Sequence, residues 1–364
     1  MVKKKESVPM ILAGNRDRNK IQSRIQTRDK TGIRPAAFIV ALMMPVLLAG
    51  CGNNASVQTE TESADGLISV AFSEVGAESD WRVANSESMR TTFTTENGYE
   101  FYFEDAKGKQ ENQITTLRSY ILQGVDYIVL DPVIETGWDE VLEEAKNAGI
   151  PVIVVDRMID VEDETLYAAW VGSDFQKEGE TAVEWLESYL EEQGRSDEEI
   201  RILHVMGTLG ATSQIGRTVG LENGAAAHVN WEIIAQVQGE YTQAKTYEVV
   251  SEFLEETQEI DVIYCENDNS ALGAIQALEE AGISYGTDGD VIIISFDATA
   301  VGLTACMEGS INLDVECNPL HGPLVEEIIE QLEAGGTPRK LSYVEETYFT
   351  PDILTAEFIE SRGY

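Results

Sequence analysis

The sequence contains few basic residues, few histidines and few cysteines. Its 364 residues include 25 Lys+Arg against 65 Asp+Glu, with three His and four Cys. Binding to phosphates needs clustered Lys and Arg, so the acidic excess argues against nucleic acid and against anionic membrane surfaces as partners. P-loop, GxSxG, HExxH and CxxC motifs do not occur. The sequence therefore predicts neither an enzyme nor a bound cofactor or metal.

The basic residues that are present concentrate at the N-terminus. Residues 1–34 carry ten Lys/Arg and three Asp/Glu, residues 35–50 carry none, and residues 51–364 carry 15 basic and 62 acidic residues. The apolar run 35–50 would span about 24 Å as a helix, which is less than the ~30 Å hydrocarbon core of a membrane. A basic head followed by a short apolar run is typical of an export signal.

The end of the apolar run, Leu48-Ala49-Gly50-Cys51, resembles the lipobox of bacterial lipoproteins. Residues 1–50 are therefore predicted to be a lipoprotein signal peptide, with Met1 or Met10 as the start. Cys51 would carry the lipid that makes the only membrane contact. An ordinary signal peptide and a retained transmembrane anchor are the alternatives. Residues 51–66 are polar and lack apolar periodicity, which predicts a flexible tether.

Three cysteines remain for the folded body. Cys265, Cys306 and Cys317 are an odd number, which makes a poor disulfide framework. We expect buried thiols, with a Cys306–Cys317 bridge as the alternative. His204 lies within an apolar strand pattern and is expected in the core.

From residue 67 onward, short apolar β-branched runs alternate with helical patterns. Near-continuous apolar strands indicate parallel sheets that are covered on both faces. The predicted strands are 67–72, 99–104, 127–131, 152–156, 168–172, 201–206, 231–237, 261–265, 291–296 and 311–316. The predicted helices are 110–123, 138–148, 174–193, 211–227, 243–258, 268–281 and 319–333. Ten strands suit two lobes better than one sheet, so we expect an α/β fold of two doubly wound parallel-sheet lobes.

Polar side chains follow the carboxyl ends of these strands, where open α/β sheets bind ligands. The candidate binding residues are Glu78, Ser79, Asp80, Trp81, Arg82, Asp156, Arg157, Arg217, Asn267 and Asp297. Planar carboxylate, amide and guanidinium groups can each bond two neighbouring hydroxyls, and Trp81 can pack against the C–H face of a sugar. The alternatives are helix N-caps at Asp80, Thr208 and Asp268, a surface ion pair at Arg157, and a glycosidase with Asp156 opposite Asp297.

The body resembles the type I periplasmic binding proteins, the sugar receptors of bacterial ABC importers, and among them the galactofuranose receptors. The resemblance covers residues 67–364 and is carried by ESDWR (78–82), KQENQI (109–114), IPV with DR and ID (150–160), GT and GA (207–211), and ND (267–268). It implies two lobes, joined by three hinge strands, that close on one sugar. Residues 67–172 with 318–343 would form the N-terminal lobe, and 173–317 with 344–364 the C-terminal lobe.

The resemblance also implies the positions of the candidate residues. Glu78 to Arg82, Asp156 and Arg157 would line the cavity from the first lobe, and Arg217, Asn267 and Asp297 from the second. The expected function is that of a monomeric, lipid-anchored extracytoplasmic receptor that delivers a galactofuranose-like monosaccharide to an ABC permease and its ATPase. A sugar sensor feeding a signalling receptor is the alternative. A DNA-binding regulator of the same fold is not expected, because the basic head leads into an export segment.

Overall fold

The computed structural model describes residues 66–364. The predicted signal peptide, Cys51 and all of the tether except Gly66 lie outside the described residues. Within residues 66–364, no helix is both long and apolar enough to cross a membrane.

Two six-stranded sheets organise the described chain. In chain order the strands are β1 (Ile68–Glu74), β2 (Tyr99–Asp105), β3 (Tyr127–Leu130), β4 (Val152–Val155), β5 (Ala169–Gly172), β6 (Ile200–Met206), β7 (Trp231–Gln238), β8 (Val262–Cys265), β9 (Ile292–Asp297), β10 (Leu313–Glu316), β11 (Leu341–Tyr343) and β12 (Tyr348–Phe349). The first sheet has the order β11-β5-β4-β3-β1-β2 and the second β12-β10-β9-β8-β6-β7. The pairs are parallel except β10 with β12.

The order of strands defines where a ligand can enter each sheet. The sequence of strands reverses direction between β1 and β3 in the first sheet, and between β6 and β8 in the second. At such a switch point, the loops leaving neighbouring strands diverge and open a crevice beyond their carboxyl ends. We call the lobe built on the first sheet the first lobe, and the lobe built on the second sheet the second lobe.

Helices cover both faces of each sheet. They are α1 (Asp80–Thr92), α2 (Gln110–Gln123), α3 (Asp139–Ala148), α4 (Phe175–Glu192), α5 (Thr212–Ala227), α6 (Gln243–Glu256), α7 (Asp268–Ala281), α8 (Ala300–Met307), α9 (Gly322–Glu333) and α10 (Ala356–Arg362). Helices α2 and α3 pack on one face of the first sheet, and α1 and α9 on the other. In the second lobe, α4 and α5 oppose α6, α7 and α8. This confirms the predicted doubly wound α/β architecture.

The chain passes between the two sheets three times. It leaves the first sheet after β5, returns to it after β10, and leaves it again between β11 and β12. Trp81, Phe175 and Cys317 form a small apolar cluster where these crossing segments meet. The three crossings therefore place one end of the first lobe directly against the second.

Helices α4 and α5 approach each other closely because both carry glycine at the contact. A Cβ atom on Gly220 would lie 2.6 Å from the backbone carbonyl carbon of Gly179, well inside van der Waals contact. This close packing brings Glu178 of α4 against Arg217 of α5, two residues that matter for the site below.

The buried cysteines and histidine also follow the expectations from the sequence. Cys265, Cys306 and Cys317 are buried free thiols, so the alternative Cys306–Cys317 bridge is not formed. His204 is fully buried in β6, and its Nε2 lies 2.9 Å from Glu266 Oε1.

Candidate ligand-binding site

A cavity lies between the two lobes, at the carboxyl ends of the strands. It contains about 270 Å³ of space not filled by protein atoms. The lining residues are Glu78, Ser79, Trp81, Arg82, Asp156, Arg157, Phe175, Ser213, Arg217, Tyr241, Asn267, Asp297 and Cys317. Nine of the ten candidate residues are thus brought together.

Arg82 forms the base of the first-lobe wall. Ser79 caps helix α1, and its hydroxyl accepts a hydrogen bond from the Arg82 backbone N–H at 3.3 Å, which fixes the start of the helix. The Arg82 guanidinium then pairs with Asp131 and, at 2.7 Å, with Asp156. Burial opposes its charge, but Asp131 and Asp156 outweigh this effect and raise the pKa of Arg82 well above its ordinary value.

The two carboxyl groups around Arg82 differ in their electrostatics. Burial raises the pKa of Asp131 well above its usual range, although Arg82 opposes the shift. Burial also acts to raise the pKa of Asp156, but Arg82 and Arg157 outweigh it and lower that pKa. The lowered pKa keeps Asp156 an ionised acceptor at the cavity, while Asp131 pairs with Arg82 behind it.

Arg157 is held from two directions. Its Nη2 donates to Glu78 Oε1 at 2.7 Å and its Nη1 donates to the backbone oxygen of Val133 at 3.0 Å. The side chain is only 1% exposed, so the alternative of a surface ion pair is wrong. Its Nε is buried and makes no hydrogen bond within the described part of the chain. Its nearest carboxylate contact is an ion pair with Asp156 Oδ2 at 3.9 Å, which is too long for a hydrogen bond, so the N–H is available to a bound ligand.

Arg217 has the corresponding place in the second lobe. Its Nε donates to Glu178 Oε2 at 2.6 Å, its Nη2 pairs with Asp297 Oδ1 at 3.2 Å, and its Nη1 donates to the backbone oxygen of Glu266. Burial raises the pKa of Asp297 well above its usual range, with Arg217 opposing the shift. The Asp297 carboxyl group lines the cavity and can accept a hydrogen bond from a ligand.

Both aspartates that end site-forming strands have unusual backbone geometry. Asp156 has φ 57° and Asp297 has φ 105°, a region that residues other than glycine rarely occupy. Behind Asp297, the Ala298 N–H donates to Asp314 Oδ1 and the Thr299 N–H donates to Asp268 Oδ2. Such strain is kept only where the surroundings hold it, and it is common at functional sites.

Asn267 combines a structural role with its place in the cavity. It is the N-cap of α7: its Oδ1 accepts from the Ser270 N–H at 2.9 Å, and its Nδ2 donates to the backbone oxygen of Tyr241 at 3.1 Å. The cap at this helix is therefore Asn267 and not Asp268. One hydrogen of the Asn267 amide remains for a ligand.

Four residues that line the cavity were not predicted. They are Phe175, Ser213, Tyr241 and Cys317. Tyr241 lies in the loop after edge strand β7 and donates to or accepts from Ser213 Oγ at 2.8 Å. A Cβ atom on Gly207 would lie 1.9 Å from the Tyr241 ring, so this glycine lets the ring enter the site. The sequence signal for Tyr241 was its position just after β7, in a loop for which no candidate residue was predicted.

Asp80 is the candidate that the structure places elsewhere. It does not line the cavity; it is the exposed first residue of α1 and pairs with Asn269 at the first turn of α7. Asp80 directly follows the Ser79 N-cap, and its side chain is exposed, whereas Trp81 and Arg82, the next two residues of α1, are buried.

The two lobes are in contact around the cavity. The Glu135 N–H donates to the Gly210 backbone oxygen at 3.0 Å, and the Met158 N–H donates to Thr212 Oγ1 at 2.9 Å. In each pair the donor belongs to the first lobe and the acceptor to the second. The structure therefore represents the closed arrangement of the lobes.

One further group of polar residues lies beside the cavity. Within residues 66–364, Glu178, Cys317 and Glu346 place possible metal-ligand atoms within 4.8 Å of one another. Protein donors already occupy part of this set, because Glu178 accepts from Arg217, and Glu346 accepts from Ser173 and Asn318. These hydrogen bonds indicate that the three residues stabilise the crossing segments, which accounts for their proximity without a metal ion.

Two α/β lobes, three crossings and a polar cavity between strand ends define a two-lobed ligand-binding protein. The comparison with known families agrees: the family model described as periplasmic binding protein domain matches residues 70–316. The chain belongs to the periplasmic binding protein family. Membership makes it a binding protein and not an enzyme.

Several relatives show how far the similarity extends. The galactofuranose-binding protein YtfQ of Escherichia coli K12 is 35% identical over 81% of this chain and 92% of its own length. A Mycobacterium smegmatis protein in complex with β-D-fucofuranose is 39% identical, with a TM-score of 0.74 over 78% of this chain and 92% of that one. The binding component of the arabinose ABC transporter of Shewanella sp. ANA-3, bound to α- and β-L-arabinofuranose, is 38% identical, with a TM-score of 0.75 over 81% and 95%.

Proposed function

We propose that the protein is the substrate-binding subunit of an ABC sugar importer and that its interlobe cavity binds one monosaccharide in a furanose form, galactofuranose or a close analogue. The observation that carries this proposal is the charge balance of the cavity. Arg82, Arg157 and Arg217 line it together with three carboxyl residues, Glu78, Asp156 and Asp297. Equal numbers of opposite charges suit a neutral polar ligand better than an ion.

The chemistry of the lining matches that of a sugar. Each sugar hydroxyl is both a donor and an acceptor, so it is best satisfied by paired guanidinium and carboxyl groups. The rings of Trp81, Phe175 and Tyr241 line the same cavity and can cover the C–H faces. Hydrogen bonds to charged partners contribute about 1.5–3 kcal/mol each. A few such bonds would support micromolar or tighter binding, which corresponds to about −8 kcal/mol.

The relatives support the furanose ring form. One is named for galactofuranose, and two solved structures are described with fucofuranose or arabinofuranose bound.

We also propose the division of the chain into lobes and its partners. The N-terminal lobe would comprise residues 67–172 with 318–343, and the C-terminal lobe residues 173–317 with 344–364. The chain passes between the sheets near each of these boundaries. Binding groups from both lobes favour closure on the ligand. The closed monomer would then dock on a permease, and the associated ATPase would drive release.

Attachment to the outer face of the cytoplasmic membrane is proposed to depend on Cys51. Cys51→Ala is expected to release the protein from membranes because the thiol that carries the lipid is lost. Sugar affinity should not change, since Cys51 precedes the folded body. Fractionation of cells expressing each form, with Cys306→Ala as a control for cysteine loss, measures this. Membrane attachment that persists in the Cys51 variant would refute the anchor.

A thermal-shift and calorimetric screen tests the proposed ligand. Galactose, arabinose, fucose and fructose, which all populate furanose rings in solution, are compared with myo-inositol and a sugar phosphate. A ligand that binds only the native state raises its melting temperature, with a gain of about 2.7 kcal/mol at 100 times Kd. We expect saturable one-to-one binding of a neutral sugar. A response only to the phosphorylated or another anionic compound would overturn the proposal.

A further inference from the structure

We infer that Asp80 and Asn269 form a latch that holds the two lobes closed over the ligand, and that they set the ligand's residence time without touching it. The inference rests on the proposed function, in which the interlobe cavity binds a sugar. Both are positioning residues, because they act on the ligand only through lobe closure.

The two residues make a reciprocal pair across the cleft. The Asp80 backbone N–H donates to Asn269 Oδ1 at 3.0 Å, and Asn269 Nδ2 donates to Asp80 Oδ2 at 2.8 Å. They are 189 positions apart in sequence. Asp80 is the first residue of α1 in the first lobe, and Asn269 is in the first turn of α7 in the second. Only docking of the lobes can bring them together.

The position of the pair also suits its chemistry. Two helix N-termini face each other here, and both carry unpaired backbone N–H groups and partial positive charge. Asp80 supplies a negative charge between them, and its backbone N–H, which has no partner within α1, is satisfied by Asn269. The neutral amide of Asn269 provides one acceptor and one donor, so the pair needs no second charge.

The latch includes a hydrogen bond between two side chains, from Asn269 Nδ2 to Asp80 Oδ2. The contacts of Glu135 with Gly210 and of Met158 with Thr212 depend on backbone N–H groups. Neither Asp80 nor Asn269 lines the cavity, so their substitution leaves the ligand's own contacts in place. A contact made only in the closed state shifts the equilibrium toward closure and slows ligand release.

The first experiment compares Asp80→Ala, Asn269→Ala and the double variant with the unaltered protein. Each single variant is expected to weaken sugar binding by roughly threefold to tenfold, where tenfold corresponds to 1.4 kcal/mol. The loss should lie mainly in the dissociation rate, measured by stopped-flow tryptophan fluorescence. The double variant should be no weaker than Asn269→Ala, because that substitution already removes both hydrogen bonds, whereas Asp80→Ala leaves the backbone N–H donor in place.

A matched control separates the latch from the loss of a helix charge. Glu111 is an exposed acid in the first turn of α2, in the same lobe as Asp80. Glu111→Ala should leave both the affinity and the dissociation rate unchanged.

A charge exchange gives the sharper test. Asn269→Asp places two carboxylates opposite each other and should weaken binding more than Asn269→Ala does. Adding Asp80→Asn should then restore affinity, because the amide and the carboxylate have only exchanged sides. X-ray scattering of the liganded protein should show a larger radius of gyration for Asn269→Asp and a restored value for the exchanged pair.

The outcomes separate the latch from the function on which it rests. If the unaltered protein binds sugar but the two alanine substitutions have additive effects, or the exchanged pair is not rescued, the latch is refuted and the sugar site stands. If the unaltered protein binds none of the sugars in the screen, the proposed function fails, and the latch in this form fails with it.

Discussion

Arg157 joins the two sides of the site. Its guanidinium bonds Glu78 and the Val133 carbonyl in the first lobe and lies 5.4 Å from the ring centroid of Tyr241 in the second. The remaining Nε–H is buried, lies 3.9 Å from Asp156 Oδ2 and makes no hydrogen bond within residues 66–364. A ligand in the cavity would complete its hydrogen bonds. This makes Arg157 the best single residue on which to test the site.

Arg157→Met is expected to weaken sugar binding by about 1.5–3 kcal/mol, or roughly tenfold to 150-fold, because a charged donor is replaced by an apolar chain of similar length. Glu78 keeps Arg82 as a partner at 3.4 Å, which should preserve the fold. Calorimetric titration measures the change. Arg118→Met, which removes a half-exposed arginine of α2 in the same lobe, is the matched control. Equal affinities for the two variants would show that Arg157 does not contact the ligand.

At this scale, the sequence predicts residues that directly follow strands better than residues that depend on lobe docking. Arg157, Asn267 and Asp297 follow strand ends and were predicted. Phe175 and Cys317 enter the cavity only because the crossing segments bring the lobes together, which no local pattern indicates. Asp80 was predicted to line the cavity and does not, because a polar residue in a loop after a strand can also lie at the rim of the cavity.

The central strands were predictable because they are buried on both faces and are therefore continuously apolar. Helix α1 was missed for a related reason. It buries polar side chains, among them Arg82, Asn85 and Ser86, so it lacks a continuous apolar stripe. Strands β11 and β12 were missed because they have only three and two residues, most of them exposed or half-buried. Helices α8 and α10, with eight and seven residues, are also too short for a clear pattern.

The three crossing segments are tied together by Glu346. Its Oε1 accepts from Ser173 Oγ at 2.6 Å and from the Asn318 N–H at 2.8 Å, so one carboxyl group from the third segment bonds the other two. Burial, reinforced by the neighbouring Glu178, raises the pKa of Glu346 from 4.5 to about 9. The folded protein therefore holds a proton here that the unfolded chain loses near pH 4.5.

This pKa shift predicts a pH-dependent stability. Because the folded state binds the extra proton, the free energy of unfolding should fall as the pH rises from about 4.5 to about 9. Glu346→Gln keeps the acceptor oxygen and removes the titration, so it should melt at a higher temperature than the unaltered protein at pH 8.5 and at a similar one near pH 4.5. Glu345→Gln, at the exposed neighbouring position, is the control. Parallel pH profiles for Glu346→Gln and the unaltered protein would contradict the prediction.

The whole molecule places a charge-balanced cavity inside a strongly acidic body. The two sheets share the same strand order, and each contributes its switch point to the cavity. Residues 51–364 carry 62 acidic and 15 basic residues, yet the cavity lining has three of each sign. A neutral ligand is not repelled by such a surface.

The two-lobe architecture could be predicted from the number of strands. The closed docking of the lobes could not, because it depends on contacts between distant residues, such as Glu135 with Gly210.

The ring form of the bound sugar distinguishes the proposed furanose site from a pyranose site. Carbon-13 NMR of galactose labelled at the anomeric carbon separates furanose from pyranose signals, both free and bound. A bound furanose signal is expected at one sugar per protein, and Arg157→Met should need a higher galactose concentration than Arg118→Met to reach it. A bound signal from the pyranose form alone, or no bound signal at saturating galactose, would show that the cavity is not a galactofuranose site.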